Sequence, residues 1–323
     1  MKKIAVLTSG GDAPGMNAAI RAVVRTAIFH GLEVIGVRRG YDGLMDGDFI
    51  PMDAASVSDI IQRGGTVLKT SRSTRFKTSD GILAAKQKVN DAGIEGMVLI
   101  GGDGTFKGAK EFSEISGMHS MGIPGTIDND LFGTDFTIGY DTAINTVIEA
   151  VDKIRDTASS HHRLFFVEVM GRDTGFIALN CGIASGAEDI LIPESKTNID
   201  DVVQRIDAGR KRNKSSFVII VAEGDTPGGA YEIAKQVTEK CSYFESRVTV
   251  IGHMQRGGNP SAFDRILASR LGVAATEGLI NGRRNEMAGL INNQIVFTPF
   301  SQTRKHLVDI DEGLLNMAHM LGS

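Results

Sequence analysis

Two cysteines, Cys181 and Cys241, are all that the 323 residues contain. They lie far apart and make no CxxC pair, so neither a disulfide scaffold nor a structural zinc site is indicated. An excess of either charge is also missing: 35 Lys and Arg against 39 Asp and Glu leave a net −4. Without a global basic bias there is no reason to expect a nucleic-acid partner, and any anion site must be local. The opening Met1-Lys2-Lys3-Ile4-Ala5-Val6-Leu7 has only four apolar residues before Thr8-Ser9-Gly10-Gly11. That is too short for a signal peptide or a membrane span, so no membrane partner is expected and the expected location is the cytoplasm. Low-complexity segments and fixed-period repeats are absent from the sequence too. What remains is an ordinary globular composition, 41% hydrophobic and 23% charged, at a length that fits two domains or one large α/β barrel.

The densest chemistry lies in Pro124-Gly125-Thr126-Ile127-Asp128-Asn129-Asp130. Two carboxylates and a hydroxyl fall in a short turn after the apolar Met121-Gly122-Ile123, at the carboxyl end of an expected strand. In an open α/β sheet, ligands bind beyond those strand ends, and a glycine lets a substrate approach the backbone closely. Asp and Asn are also common turn residues, so taken alone this stretch fits a plain surface turn equally well.

Two glycine loops precede it. Ile4-Ala5-Val6-Leu7 leads through Ser9-Gly10-Gly11-Asp12-Ala13-Pro14-Gly15 to Met16, Ala19, Ile20, Val23 and Ala27 at helical spacing, with Gly31 as a stop. Met97-Val98-Leu99-Ile100 leads through Gly101-Gly102-Asp103-Gly104-Thr105 to another helix. Such strand, loop and helix units turn backbone N–H groups and a positive helix end toward phosphate. The first loop matches neither GxGxxG nor GxxxxGK[ST]. The second is more specific, because three glycines around one aspartate let the backbone wrap a polyphosphate while the carboxylate meets a hard cation such as Mg²⁺.

Elsewhere the pattern predicts a strand over residues 33–37, a short helix over 56–61 ending at Gly64-Gly65, and a helix over 81–92. Lys69-Thr70-Ser71-Arg72-Ser73-Thr74-Arg75 reads as a basic, hydroxyl-rich loop, equally able to meet an anion or to be solvated. Ile144, Val147, Ile148, Val151 and Ile154 mark a long amphipathic helix, and a domain crossing is expected near its start. After it, apolar runs at 164–167, 190–192, 217–221 and 248–251 lead into Met170-Gly171-Arg172, Pro193-Glu194, Glu223-Gly224 and Gly252-His253-Met254-Gln255-Arg256-Gly257-Gly258. This alternation predicts an α/β fold with parallel, doubly wound sheets. A barrel gives the same alternation, but the loops are chemically split, with Gly and Asp early and Arg, His and Glu late. That split suggests one domain for a metal-bound polyphosphate and one for a second anionic substrate.

Residues 9–17, 101–105, 124–130, 170–172 and 252–258, in that order and at that spacing, closely resemble the bacterial ATP-dependent 6-phosphofructokinase (type A) family, from residue 1 to about Gly272. The resemblance implies two Rossmann-like domains with the active site in the cleft between them: 1–138 with 255–305 for ATP and Mg²⁺, and 139–254 with 306–323 for the sugar phosphate. It implies Asp128 as general base for the sugar 1-hydroxyl, with Thr126 and Asp130 lining the same site, and Asp103 as the Mg²⁺ ligand. Gly11, Arg72, Ser73, Gly102, Asp103, Gly104 and Thr105 correspond to ATP contacts. Arg72 and Arg172 are implied to stabilise charge on the transferring phosphoryl group. Met170, Gly171, Arg172, Glu223, His253 and Arg256, with Thr126 and Asp128, match the fructose 6-phosphate site. Arg163 and Arg247 would reach that sugar phosphate from a neighbouring subunit, which implies a homotetramer with shared sites. Arg21, Arg25, Asp59, Arg155, Glu188, Arg212 and Lys214 match an inter-subunit effector site for ADP or phosphoenolpyruvate. Ala54 stands where the family often has arginine, and residues 69–75 depart from the usual small and aromatic side chains although Arg72 is retained.

The implied chemistry agrees with the residues, since phosphoryl transfer needs alignment and charge neutralisation more than covalent chemistry. The nearest rival is a pyrophosphate-dependent relative. Those enzymes typically carry Asp at the position of Gly104 and Lys at that of Gly125, so both glycines favour ATP. An NAD or lipid kinase would share the Gly-Gly-Asp-Gly loop but leaves 170–172 and 253–256 unexplained. A non-catalytic nucleotide sensor has no need of Thr126, Asp128 and Asp130, and a dehydrogenase would carry the dinucleotide fingerprint that the first loop lacks.

Overall fold

The computed structural model describes residues 1–161, 163–225, 228–305 and 311–322. Of the expected second-domain segment 306–323, residues 306–310 and 323 lie outside the described residues. The first half of the chain runs β1 (Lys3–Ser9), α1 (Met16–Phe29), β2 (Glu33–Val37), α2 (Gly40–Asp46) and β3 (Phe49–Met52). It continues through α3 (Ser79–Asp91), β4 (Gly96–Gly101), α4 (Asp103–Ser116), β5 (His119–Pro124) and α5 (Tyr140–His161). The second half alternates β6 (Arg163–Val169), α6 (Phe176–Ser185), β7 (Asp189–Leu191), α7 (Ile199–Lys211), β8 (Phe217–Ala222), α8 (Gly229–Lys240) and β9 (Glu245–Val250). It closes with α9 (Ala262–Ile280), β10 (Glu286–Ile291), β11 (Gln294–Pro299) and α10 (Glu312–Gly322).

The chain divides into two compact units, Met1–Thr142 with Arg256–His306 and Ala143–Gln255 with Leu307–Ser323. The first holds a seven-stranded sheet in the order β11-β10-β5-β4-β1-β2-β3, parallel except for its antiparallel edges β3 and β11. Every residue of β4 is buried, which is why its sequence is a continuous apolar run rather than an alternating one. Leu7, Leu99, Phe106 and Phe112 form the core on one side of this sheet, and burying each contributes about 1.5–3 kcal/mol. The chain winds from β1 outward to β2 and β3, then returns to place β4 and β5 on the other side of β1. Register sets Ser9 beside Gly101 and Gly101 beside Pro124, so the loops after β1, β4 and β5 leave the sheet side by side where the winding reverses.

The second unit holds an all-parallel sheet in the order β7-β8-β6-β9. Phe166, Ile219, Val221, Ile206 and Val237 are among the residues of its core. Val169 pairs with Ala222, and Glu168 with Val250, which brings residues 170–172, 223 and 251–253 to one edge of that sheet.

One expectation fails locally. No helix forms over residues 56–61, which make successive turns instead. Asp53 Oδ1 accepts both the Ser56 N–H and its hydroxyl, as a helix cap would, but Asp59 then enters the left-handed region at φ 54° and ends the turn. The apolar Val57 and Ile60 are buried from that turn without a helix. The β10–β11 hairpin was not foreseen, although its two-residue loop Asn292-Asn293, with φ 48° and 62°, is a recognisable turn signal.

Candidate active site

The second glycine loop and the acidic turn are adjacent because β4 and β5 are paired in register. Gly102 is the N-cap of α4, and Asp103 opens the helix at its positive end. Asp103 Oδ2 lies 2.8 Å from Lys107 Nζ, while Oδ1 is buried with no hydrogen-bond partner among the described residues. A Cβ built on Gly104 meets nothing within 4 Å, so space lies over this first helical turn. On the inner side the loop is tied down, with the Thr105 hydroxyl donating to Ser9 O at 3.1 Å.

The turn itself is built from the backbone outward. Thr126 Oγ1 accepts the Asp128 N–H at 3.2 Å, and Asn129, at φ 50°, uses Oδ1 to accept the Thr137 N–H at 2.7 Å. Thr137 Oγ1 donates to Thr126 O at 2.6 Å, and Gly125 bridges Ile138. Residues 137 and 138 therefore clip the turn from behind. Asp128 and Asp130 are 2% and 5% exposed, a costly placement for two carboxylates unless charges or donors face them. Lys305, in an antiparallel bridge to Leu131, sets its Nζ 3.6 Å from Asp130 Oδ2.

The loop after β1 receives two more groups of the same unit. Arg256, nearly buried, donates from Nη1 to Asp12 O at 2.9 Å and packs so closely on Gly11 that a Cβ there would come within 2.8 Å of Nη1. The basic loop also folds onto it, with Gly10 N–H donating to Ser71 O at 3.1 Å and Thr70 Oγ1 to Gly10 O at 2.9 Å. Arg72 follows as an exposed side chain. Ser73 does not present its hydroxyl in the same way, since it donates to Asp42 Oδ1 at 2.6 Å and accepts the Phe76 N–H. The first unit thus gathers Gly11, Gly102, Asp103, Gly104, Thr105, Thr126, Asp128, Asp130 and Arg256 at one end of its sheet.

In the second unit, Glu223 Oε1 accepts the Arg172 N–H at 2.8 Å and the Gly171 N–H at 3.4 Å. Gln255 Oε1 accepts the Met170 N–H at 2.8 Å. Arg172 is exposed at φ 54°, and His253 is exposed in the 3₁₀ turn Gly252–Arg256. Arg163 and Arg247 are elsewhere. Both pair with Glu245, Arg163 Nε at 2.8 Å, toward the amino ends of β6 and the edge strand β9. Arg163 opens the seven-residue β6 and Met170 follows its end, a separation of roughly 20 Å at about 3.3 Å per residue. One chain does not bring them together.

The effector candidates also divide. Glu188 Oε1 meets Lys214 Nζ at 2.9 Å and Arg155 Nη1 at 3.3 Å, and Oε2 accepts the Val218 N–H. Glu188, Arg212 and Lys214 line a cavity of about 100 Å³ floored by Val202, Ile206 and Phe217. Arg21 and Arg25 on α1 and Asp59 in its turn belong to the first unit. Sequence reasoning missed Gln255, Lys305, Thr137 and Asn129 as supports. Gln255 lay inside a motif already singled out; Lys305 carried no signal.

The phosphofructokinase family model matches residues 3–279. An ATP-dependent 6-phosphofructokinase from Cytophaga hutchinsonii is 54% identical over 321 residues, covering 99% of this chain and 98% of that protein. One from Thermus thermophilus is 53% identical, with 99% of each covered. Among solved structures, phosphofructokinase from Saccharomyces cerevisiae aligns with a TM-score of 0.91 at 35% identity, covering all of this chain and 48% of that one. This chain therefore spans about half the length of the yeast protein. Identity above one half, sustained along almost all of both bacterial relatives, places the chain in the phosphofructokinase family.

Proposed function

We propose that the protein transfers a phosphoryl group from ATP to the 1-hydroxyl of fructose 6-phosphate, giving fructose 1,6-bisphosphate and ADP, the committing step of glycolysis. The observation that carries this reading is the pairing of Gly101 with Pro124, which sets a polyphosphate-type glycine loop beside a turn holding two buried carboxylates. In this reading Asp128 takes the proton of the attacking hydroxyl as its bond to phosphorus forms. Arg72 and Arg172 stabilise the charge on the group in transit. Met170, Gly171, Arg172, Glu223, His253 and Arg256 recognise the sugar phosphate, and Glu223 does so in part by holding the loop amides.

Asp103 fits a magnesium ligand, because Oδ1 is a buried oxygen with no hydrogen-bond partner among the described residues and hard cations prefer oxygen. Among the described residues no cluster of three or more His, Cys, Asp or Glu could hold a metal. Nucleotide phosphates and water would then complete the shell, as is usual for Mg²⁺. The bound ion would neutralise the phosphate charge; positioning falls to the chain. The first unit is assigned ATP and Mg²⁺, the second the sugar phosphate, and the cavity at Glu188, Arg212 and Lys214 an ADP or phosphoenolpyruvate effector. Arg163, at the opposite end of β6 from Met170, supports sites shared between subunits, and a homotetramer in which Arg163 and Arg247 reach a neighbour's sugar phosphate is part of the proposal. No described helix is long and apolar enough to cross a membrane, and a cytoplasmic location is part of the same proposal.

The test is fructose 1,6-bisphosphate formation from fructose 6-phosphate with Mg²⁺, comparing ATP and pyrophosphate at matched concentrations. Turnover with ATP alone is expected. Turnover with pyrophosphate alone would overturn the donor while leaving the role of Asp128 standing, and no turnover with either would overturn the whole reading.

A further inference from the structure

Gln255 is fully buried, and the two halves of its amide have different fates. Oε1 accepts the Met170 N–H at 2.8 Å, whereas Nε2 has no acceptor among the described residues. A buried donor left without an acceptor is destabilising, so an apolar side chain would serve stability better here. What offsets that cost is the work of the oxygen.

The turn it touches is unusual. After β6 the backbone passes Gly171 at φ 153° and Arg172 at φ 54°, a conformation that a non-glycine residue keeps only when its surroundings over-determine it. Three consecutive N–H groups are taken by side chains: Met170 by Gln255, and Gly171 and Arg172 by Glu223. Gly171 O in turn accepts from the Thr174 N–H and hydroxyl. Residue 256, the next after Gln255, sends its guanidinium to Asp12 O.

We propose that Gln255 is a positioning residue for sugar-phosphate binding, acting through the Met170 backbone to hold the turn that presents Arg172. A turn already held in its binding shape gives up less conformational freedom when the ligand arrives. The inference rests on the reading of residues 170–172 as a sugar-phosphate loop.

One variant separates the oxygen from the side chain's bulk, since Gln255→Met keeps the length and removes the acceptor. Steady-state assays should show Gln255→Met raising KM for fructose 6-phosphate about tenfold, or about 1.4 kcal/mol, with kcat and KM for ATP within about twofold. An unchanged sugar KM, or parallel rises in both KM values, would each overturn the proposal. Should Gln255→Met fail to fold, amide exchange on the ligand-free wild-type enzyme decides. A protected Met170 N–H is expected, and one exchanging as fast as an open loop overturns the contact. If wild type itself leaves fructose 6-phosphate untouched, the functional reading fails, while the exchange result still judges Gln255.

Discussion

Lys107 reaches back one helical turn to Asp103, Nζ to Oδ2 at 2.8 Å, while Asp103 Oδ1 is buried with no hydrogen-bond partner among the described residues. With the lysine side chain 65% exposed, this i,i+4 pair adds only about 0.3–0.5 kcal/mol to stability. Its carboxylate matters more. Asp103→Asn should raise the Mg²⁺ concentration for half-maximal rate about tenfold or more and lower kcat/KM by about a hundredfold. Lys107→Met should change either by less than about threefold. Magnesium titrations of the two variants check this, and equal effects would remove the distinction between ligand and neighbour.

Asp128→Asn keeps the side-chain volume, and the Thr126 Oγ1 contact to the residue 128 N–H is untouched by it. Folding and both KM values should stay within about threefold of wild type while kcat falls about 10² to 10⁴, the usual worth of a general base. Near-normal kcat would take the base assignment away from Asp128.

Asp264 is buried at the start of α9, accepts from Gly139 N–H, Thr142 N–H and the Thr142 hydroxyl, and is pushed up to about 6 by burial despite those bonds. The folded protein therefore binds this proton more tightly than the unfolded chain. Its stabilising effect is full below about pH 4 and is lost as pH rises through 6, a difference of roughly 3 kcal/mol at most. Asp264→Asn cannot titrate. Denaturation from pH 4 to 7 should show wild type losing stability relative to the variant across that window, and a pH-independent difference would rule out the shift.

Gly104 and Gly125 differ in what a side chain would meet. Nothing lies within 4 Å of a Cβ at 104, whereas one at 125 comes to 3.1 Å from Ile100 Cγ2 and 3.2 Å from Met16 Cε. Gly104→Asp should fold with an unchanged melting temperature yet raise KM for ATP about tenfold or more, since a second carboxylate beside Asp103 repels phosphate. Gly125→Lys should cost about 1–3 kcal/mol by overpacking the core. Melting curves and ATP kinetics on both variants test the pair.

The strand ends are legible in the sequence because β1, β4, β5 and β8 are mostly buried runs that lead into glycine or a carboxylate. The proposed site residues within a few positions of those ends, Asp103 and Asp128 among them, follow from the same signal. Supports contributed from far along the chain do not: Lys305 meets Asp130 across 175 residues of sequence, and no local pattern marks it. Residues 56–61 misled because Val57 and Ile60 are three apart, which suits a helix, while the left-handed Asp59 is a tertiary outcome. Arg163 and Met170 share β6 and its flank, and only strand geometry reveals that they stand at opposite ends of it.

The first unit is assembled from stretches that leave the ribosome at different times. β5 finishes at Pro124, but β10, which pairs with its outer edge at Met121 and Gly122, begins only at Glu286. At 5–20 residues per second that edge waits roughly 8–30 s for its partner strand. Until then the nascent chain carries an open row of backbone donors and acceptors next to buried-type side chains, a surface that invites pairing with another unfinished copy. Slower synthesis across residues 125–286 should therefore lower the yield of folded protein.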